Sequence, residues 1–348
     1  MKRGSGAKKK PAAVKTKRPY LRIATEEAWL TPEIFSLYRK MIADKSSNDP
    51  GFMAMWGLIG ANSQVVSRLL DLGERRIADM DASGIDKQLL LLTAPGVQVF
   101  DTATANALAA DSNDRLAEAI RSHPDRFAGL AAVAPQDPRT AAKELERGIR
   151  KLELNGAVIN SHTRGEYLDD PKFWDILEAA EALDAAIYIH PTTPSPAMLK
   201  PFLDRQLHMA VMGFGVEVAF HVLAMIRVGV FDRFPKLKIV IGHAGEGLPY
   251  WLYRIDYMSR LPGFAPTKLQ LKPSEYMRRN LYITTSGVPW APAILMAQQV
   301  LGVDRVLYAM DYPYQFVPAE VKLTDRLPIS AAAKRKLFQG NAEKVFHL

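Results

Sequence analysis

The chain has 348 residues, with 48% hydrophobic and 24% charged positions and no cysteine, so disulfides, thiolate-bound zinc and thiol catalysis are excluded. Its formal net charge of +8 is confined to one end: Lys2, Arg3, Lys8, Lys9, Lys10, Lys15, Lys17 and Arg18 lie within the first 18 positions without an acid among them. Taking those eight from 45 basic residues leaves 37 against 37 acidic ones, so the body has no basic surplus with which to hold nucleic acid.

Residues 1–19 are rich in Lys, Ala, Pro and Gly, too poor in apolar side chains to bury a core, and read as a disordered basic tail. The competing reading is a tail that carries nucleic-acid binding, which would be salt-sensitive and would vanish on deletion of residues 1–18. No apolar run approaches the roughly 20 residues needed to span a bilayer. The next stretch is interrupted by Arg22, Glu26 and Glu27, so no signal-peptide core follows the basic start. The expectation is a cytoplasmic protein with no membrane and no specific nucleic-acid partner.

From residue 20 onward, short apolar runs alternate with longer amphipathic segments. Strands are expected at 21–26, 87–93, 128–133, 156–160, 186–190, 238–241, 281–284 and 305–309. They are rich in Val, Ile and Leu with little polar alternation, as strands covered on both faces of a parallel sheet are. Leu69, Leu70, Ile77 and Met80 recur at helical spacing ahead of Gly84, and residues 103–122, 138–154 and 171–183 read as helices. Eight strands alternating with helices predict an α/β fold, a (β/α)8 TIM barrel over residues 20–348. Residues 36–67, containing Asn48-Asp49-Pro50-Gly51, read as a long loop insertion after strand 1, and the last forty or so positions as extra C-terminal helices. No Gly-x-Gly-x-x-Gly follows the first strand, against a dinucleotide site.

Barrel enzymes work at the C-terminal ends of their strands. Glu26 falls at the end of strand 1, His190 at the end of strand 5, His243 just after strand 6 and Asp311 just after strand 8. Singly, each has an ordinary explanation: a histidine at a strand end is commonly a satisfied polar group, and Asp311 before Tyr312-Pro313 can cap a turn. Jointly they form a mixed oxygen and nitrogen donor set suited to manganese, zinc or a similar cation.

Four strings carry a resemblance: Thr25-Glu26-Glu27-Ala28, Tyr188-Ile189-His190-Pro191, the run from Gly242 through His243, Glu246 and Leu248 to Tyr250, and Met310-Asp311-Tyr312-Pro313-Tyr314. With Gly73-Glu74-Arg75-Arg76 and Ala134-Pro135-Gln136-Asp137-Pro138, they resemble the amidohydrolase superfamily. They are most similar to its non-oxidative aromatic acid decarboxylases acting on γ-resorcylate, 2,3-dihydroxybenzoate and 5-carboxyvanillate, the last above all.

The resemblance implies that Glu26, His190 and Asp311 bind one divalent cation, manganese before zinc, with no organic cofactor. It further implies that His243, paired with Glu246, lies in the substrate pocket, that Arg254 and Tyr314 grip the substrate, and that the enzyme is a homodimer or homotetramer. Ala28 stands where many superfamily hydrolases have the second His of a strand-1 pair. Leu58-Ile59-Gly60-Ala61-Asn62 is shorter and more apolar than the loop of the 5-carboxyvanillate members, which favours a ring with one carboxylate.

The activity so implied is metal-dependent loss of carbon dioxide from an ortho-hydroxy aromatic acid, with Asp311 as the expected proton donor to the ring and His243 as its rival. The alternative on the same scaffold is a metal-dependent hydrolase or hydratase acting on a lactone or an unsaturated acid.

Overall fold

The computed structural model describes residues 18–261, 263 and 268–348. Most of the basic tail therefore lies outside the described residues. Arg18 and Pro19 at its edge are described, and the Arg18 guanidinium donates to Asp86 at 2.7 Å.

Among the described residues, nine strand segments follow one another: β1 (Ile23–Trp29), β2 (Lys87–Leu92), β3 (Phe127–Gly129), β4 (Ala131–Ala132), β5 (Gly156–Ile159), β6 (Ala186–Ile189), β7 (Lys238–Ile241), β8 (Leu281–Thr284) and β9 (Val306–Leu307). Every pair of hydrogen-bonded neighbours is parallel. β3 and β4 are one stave interrupted at Leu130, whose N–H donates to Leu90 O at 2.8 Å. Nine segments thus make eight staves, as the sequence predicts.

The ring closes between the last stave and the first. Thr25 N–H donates to Tyr308 O at 3.0 Å, Ala28 N–H to Tyr312 O at 2.7 Å, and Glu27 pairs with Tyr312 as a parallel bridge. On its other side, the register of β1 with β2 shifts between Ala24 and Glu27. The strands are apolar because both faces are covered: Leu89, Leu90, Leu91 and Leu92 are all buried.

Helices cover the outside. α4 (Glu74–Ser83), α5 (Thr102–Ser122), α6 (Pro138–Leu152) and α7 (Trp174–Ala182) return the chain between successive staves. α8 (Pro196–Leu203), α9 (Gly213–Arg227) and α10 (Val230–Arg233) lie between β6 and β7, and α11 (Leu248–Met258) and α12 (Pro273–Asn280) between β7 and β8. α13 (Ala291–Leu301) precedes β9, and α14 (Pro318–Asp325), α15 (Ala331–Arg335) and α16 (Asn341–Phe346) end the chain as expected.

The insertion after strand 1 corrects the expectation of a loop over 36–67. It is helical: α1 (Pro32–Ala43), α2 (Pro50–Ile59) and α3 (Ser63–Leu69). Asn48-Asp49-Pro50-Gly51 is a helix start, not a turn between strands. Asp49 Oδ1 accepts the N–H groups of Gly51 and Phe52 at 2.8 and 3.0 Å, and Pro50 sits where a missing N–H costs nothing. Thr31 with Pro32 and Asn62 cap α1 and α3 in the same manner.

The insertion packs over the mouth of the barrel. Trp56 Nε1–H donates to Ala94 O at 2.9 Å, and the Tyr38 hydroxyl donates to Gly96 O, so α1 and α2 both hold the loop after β2. Gly51 must be glycine here, since a Cβ would lie 2.1 Å from Thr193 Oγ1 in the loop after β6.

Candidate active site and metal centre

Side chains two apart on a strand share a face, so Tyr188 and His190, at the end of β6, both point into the barrel. Glu26 points inward from β1. It lies inside that strand and not at its end, because β1 runs three residues further than the apolar run suggested. Its Oε2 accepts hydrogen bonds from the hydroxyls of Tyr188 and, at 3.1 Å, Thr284 of β8. Its Oε1, equally buried, has no hydrogen-bond partner among the described residues.

Two imidazoles face that free oxygen. His190 Nε2 and His243 Nε2 each lie 3.6 Å from Glu26 Oε1, too far for a hydrogen bond. Donor atoms held at about 2.1 Å around one tetrahedral cation sit roughly 3.4 Å apart, so the spacing fits ligation better than direct contact. Glu26, His243 and Asp311 each present one ligand atom, all within 4.8 Å of one another. Of the sequence-predicted set, Glu26 and Asp311 fall in this group together with His243, and His190 stands beside it through its 3.6 Å approach to Glu26 Oε1.

The chain makes room for this cluster with glycine. A Cβ on Gly242 would lie 2.6 Å from Glu26 Oε2, and one on Gly287 would lie 3.3 Å from both Asp311 Oδ2 and His243 Cδ2. After Gly242, the residues His243, Ala244, Gly245, Glu246 and Gly247 all adopt positive φ, from 50° to 83°. A run of left-handed residues costs non-glycine positions free energy and persists only where the surroundings impose it. Here it folds Glu246 back onto His243, whose Nδ1–H donates to Glu246 Oε1 at 2.6 Å.

Electrostatics differ sharply across the cluster. Burial, with His243 adding, pushes His190 down to about 4 and keeps it neutral, as a ligand must be. Burial also acts downward on His243, but the carboxylates of Glu246 and Glu26 outweigh it and hold the imidazole well above its ordinary value. Burial pushes the Asp311 carboxyl up against the pull of His243, and Glu26 and Glu246 add to the rise. Three carboxyls crowded into a buried site are a natural place for a divalent cation, which offsets their mutual repulsion.

His243, Glu246 and Asp311 open onto a cavity of about 390 Å³. Its remaining wall includes Met212, Phe214, Trp251, Val288 and Gln315, a mostly apolar lining large enough for a substituted benzene ring. Neither Glu26 nor His190 is among the described residues of the wall.

Arg254 does not reach this cavity. It is exposed on α11, one turn beyond Trp251, and forms no ion pair among the described residues. Tyr314 is half-buried and its hydroxyl is bonded to Thr93 Oγ1 at the end of β2; it too is outside the cavity wall. Tyr188, Thr284, Gly242 and Gln315 were given no role by the sequence reading. Tyr188 left a usable signal, its position two residues before His190, and Gly242 opens the string that carries His243 and Glu246.

The amidohydrolase family profile matches residues 68–348, and the chain belongs to that family. A γ-resorcylate decarboxylase of Polaromonas sp. is 37% identical over 294 residues, covering 81% of this chain and 89% of that protein. Among solved structures, a 5-carboxyvanillate decarboxylase of Novosphingobium aromaticivorans, complexed with manganese and 4-hydroxy-3-methoxy-5-nitrobenzoic acid, superposes with a TM-score of 0.92 at 49% identity. The match covers 95% of this chain and 97% of that one. A dihydroxybenzoic acid decarboxylase of Polaromonas sp., with manganese and 2-nitroresorcinol bound, gives 0.82 at 34% identity over 94% and 97% of the two chains. Within the family the chain is a carboxy-lyase, a metal-dependent, non-oxidative decarboxylase of aromatic acids.

Proposed function

We propose that the chain decarboxylates an ortho-hydroxybenzoate bearing one carboxylate, using a divalent cation, manganese first, held by Glu26, His190 and Asp311. The observation that carries this reading is the free Glu26 Oε1, buried, unpartnered and faced by imidazole nitrogen at 3.6 Å. His190 is favoured over His243 as ligand because burial holds it neutral and it is not among the described residues lining the cavity, whereas His243 lines it.

The bound cation supplies Lewis-acid polarisation of the substrate's carboxylate and hydroxyl oxygens. Asp311, at the cavity wall, receives the phenolic proton and passes it to the ring carbon that bears the carboxylate. The bond from that carbon to the carboxylate then breaks, carbon dioxide departs, and the electron pair returns to the ring to restore aromaticity. Imidazolium His243, fixed by Glu246, stabilises negative charge on the ring oxygens at the cavity wall. The apolar lining excludes water from the protonated ring.

One carboxylate is proposed because, among the described residues, no Lys or Arg lines the cavity, so a second one would lack a cationic partner from them. Asn62, which caps α3, and the preceding Leu58-to-Ala61 run offer none either. The second reading is 5-carboxyvanillate itself, favoured by the 49% identity to a decarboxylase of that acid. A more than tenfold preference in kcat/KM for 5-carboxyvanillate over 2,6- and 2,3-dihydroxybenzoate decides for it.

We also propose a homo-oligomer, supported by the exposed aromatic face of α11, where Tyr250, Tyr253 and Tyr257 are 74%, 86% and 57% exposed. Light scattering on the purified protein tests this. Among the described residues no helix is long and apolar enough to cross a membrane.

Asp311→Asn tests the proton donor. An amide oxygen still reaches the cation, so the variant should keep its manganese while turnover falls by about a hundredfold or more. Near-normal turnover at full manganese occupancy would transfer the role to His243.

A further inference from the structure

β1 sends Glu26 into the barrel, and Glu27 points instead into the seam where the barrel closes. Glu27 is fully buried. Its Oε1 accepts the N–H of Met310 at 2.9 Å, and its Oε2 accepts the N–H of Tyr312 at 3.3 Å and Gln88 Nε2–H at 3.4 Å. Each of these hydrogen bonds is donated to its oxygens, while burial pushes the Glu27 carboxyl up to about 8 against the pull of the Met310 N–H and of Arg76. Met310 and Tyr312 flank Asp311, whose own backbone sits at φ 74°, a conformation a non-glycine residue holds only under constraint.

Arg76, also fully buried, binds the outside of the same clamp. Its guanidinium donates to Ala28 O at 2.7 Å and to Gln88 Oε1 at 3.2 Å, and lies 4.6 Å from the centre of the Tyr312 ring. Ala28 N–H in turn donates to Tyr312 O at 2.7 Å. A buried guanidinium and a buried carboxyl joined through the Gln88 amide are a costly way to close a sheet that apolar side chains could close. It stands at the one turn that carries Asp311.

We infer that Glu27 is a positioning residue. Its carboxylate grips the peptides on both sides of Asp311 and so fixes the separation of Asp311 from Glu26, the two carboxylates of the cation site. The inference rests on the reading of Glu26 and Asp311 as donors to the cation.

The test is a manganese titration of purified metal-free protein, with free Mn(II) followed by its electron paramagnetic resonance signal. Glu27→Gln places an amide N–H₂ against a backbone N–H and should raise the Kd for Mn(II) by about tenfold to a hundredfold, the range for groups that orient metal ligands. It should also lower kcat by more than it raises KM. Asn280→Ala is the control for general loosening: Asn280 is buried at the opposite end of the barrel, where it donates to Pro235 O and Leu237 O at 3.1 and 2.8 Å. That variant should lower Tm and leave the Kd unchanged.

A wild-type Kd in Glu27→Gln, or equal weakening in Asn280→Ala, overturns the positioning role. Should Glu27→Gln not fold, Gln88→Met removes one donor from the clamp and is measured in the same way; a raised Kd supports the role and a wild-type Kd overturns it. Glu26→Ala separates the two claims. If it alone loses Mn(II) while Glu27→Gln binds normally, the cation site stands and the positioning role falls. If Glu26→Ala keeps the wild-type Kd, the site itself is misplaced and the inference falls with it.

Discussion

Gly242 stands against Glu26 so closely that any side chain there would collide with its carboxylate: a Cβ would lie 2.6 Å from Oε2 and 3.1 Å from Oε1. The Gly-His sequence after β7 is therefore a packing requirement of the carboxylate opposite. The Gly242 backbone, at φ −80°, is open to any residue, so the constraint is on space and not on conformation.

Gly242→Ala should accordingly fold while displacing the Glu26 carboxylate from the Tyr188 and Thr284 hydroxyls. We expect an unchanged circular dichroism spectrum, weaker manganese binding and a loss of at least about tenfold in kcat/KM. Wild-type metal affinity in this variant would show that Glu26 is not a ligand.

Tyr188→Phe removes one of the two hydroxyls that orient Glu26 Oε2 and leaves Thr284 alone at 3.1 Å. Losing a buried hydrogen bond to a charged group costs about 1.5–3 kcal/mol. The variant should melt at a lower temperature without metal and recover part of that loss on adding manganese, because the cation re-anchors the carboxylate. Differential scanning calorimetry with and without Mn(II) measures both; identical stability to wild type would deny Tyr188 this role.

A second buried histidine predicts the acid limb of stability. His221 on α9 donates from Nδ1 to Ser161 Oγ at 3.2 Å and accepts the Leu168 N–H on Nε2 at 3.0 Å, so both nitrogens are satisfied only in the neutral ring. Burial, with His162 adding, pushes it down to about 3. Nearby Glu217 accepts from Ser161 Oγ at 3.0 Å. The unfolded chain takes up this proton below pH about 6.5 and the folded chain does not, so stability is full above that pH and falls below it. Down to about pH 3 the slope is about 1.4 kcal/mol per unit for this group. Denaturant titrations at pH 7, 6, 5 and 4.5 should show a shallower acid limb in His221→Asn than in wild type. Equal slopes would mean that the ring is not held neutral.

Much of the architecture was legible because parallel barrel strands are apolar on both faces. Runs such as Lys238–Ile241 and Leu281–Thr284 stand out between amphipathic helices and were placed to the residue. The insertion misled because Asn48-Asp49-Pro50-Gly51 has the composition of a turn, and only the direction of the Asp49 side chain, toward Gly51 and Phe52, makes it a helix cap. His190, His243 and Asp311 were visible as titratable residues at strand ends and Glu26 as one within the first strand, and strand alternation from His190 would also have reached Tyr188.

Other features depend on contacts between distant segments. Glu27 looks like an outward-facing strand residue until the barrel closes and brings Met310 and Tyr312 onto it. Arg254 has the right spacing from His243 to return along a helix, yet it is three positions past Trp251, about 4.5 Å farther along the axis, and exposed. Helical spacing fixes the face of a residue but not how far the pocket extends along it.

The central claim is that this chain releases carbon dioxide from an ortho-hydroxybenzoate only with a divalent cation in the Glu26, His190 and Asp311 site. The direct measurement is carbon dioxide release from 2,6-dihydroxybenzoate, 2,3-dihydroxybenzoate and 5-carboxyvanillate by purified protein. Each is assayed as isolated, after chelation, after restoring Mn(II), and in His190→Ala. The account predicts release from at least one of the three acids, abolished by chelation, restored by about one Mn(II) per chain, and absent in His190→Ala. Full activity in the chelated protein, or no release from any of the three by folded, manganese-loaded enzyme, would contradict it.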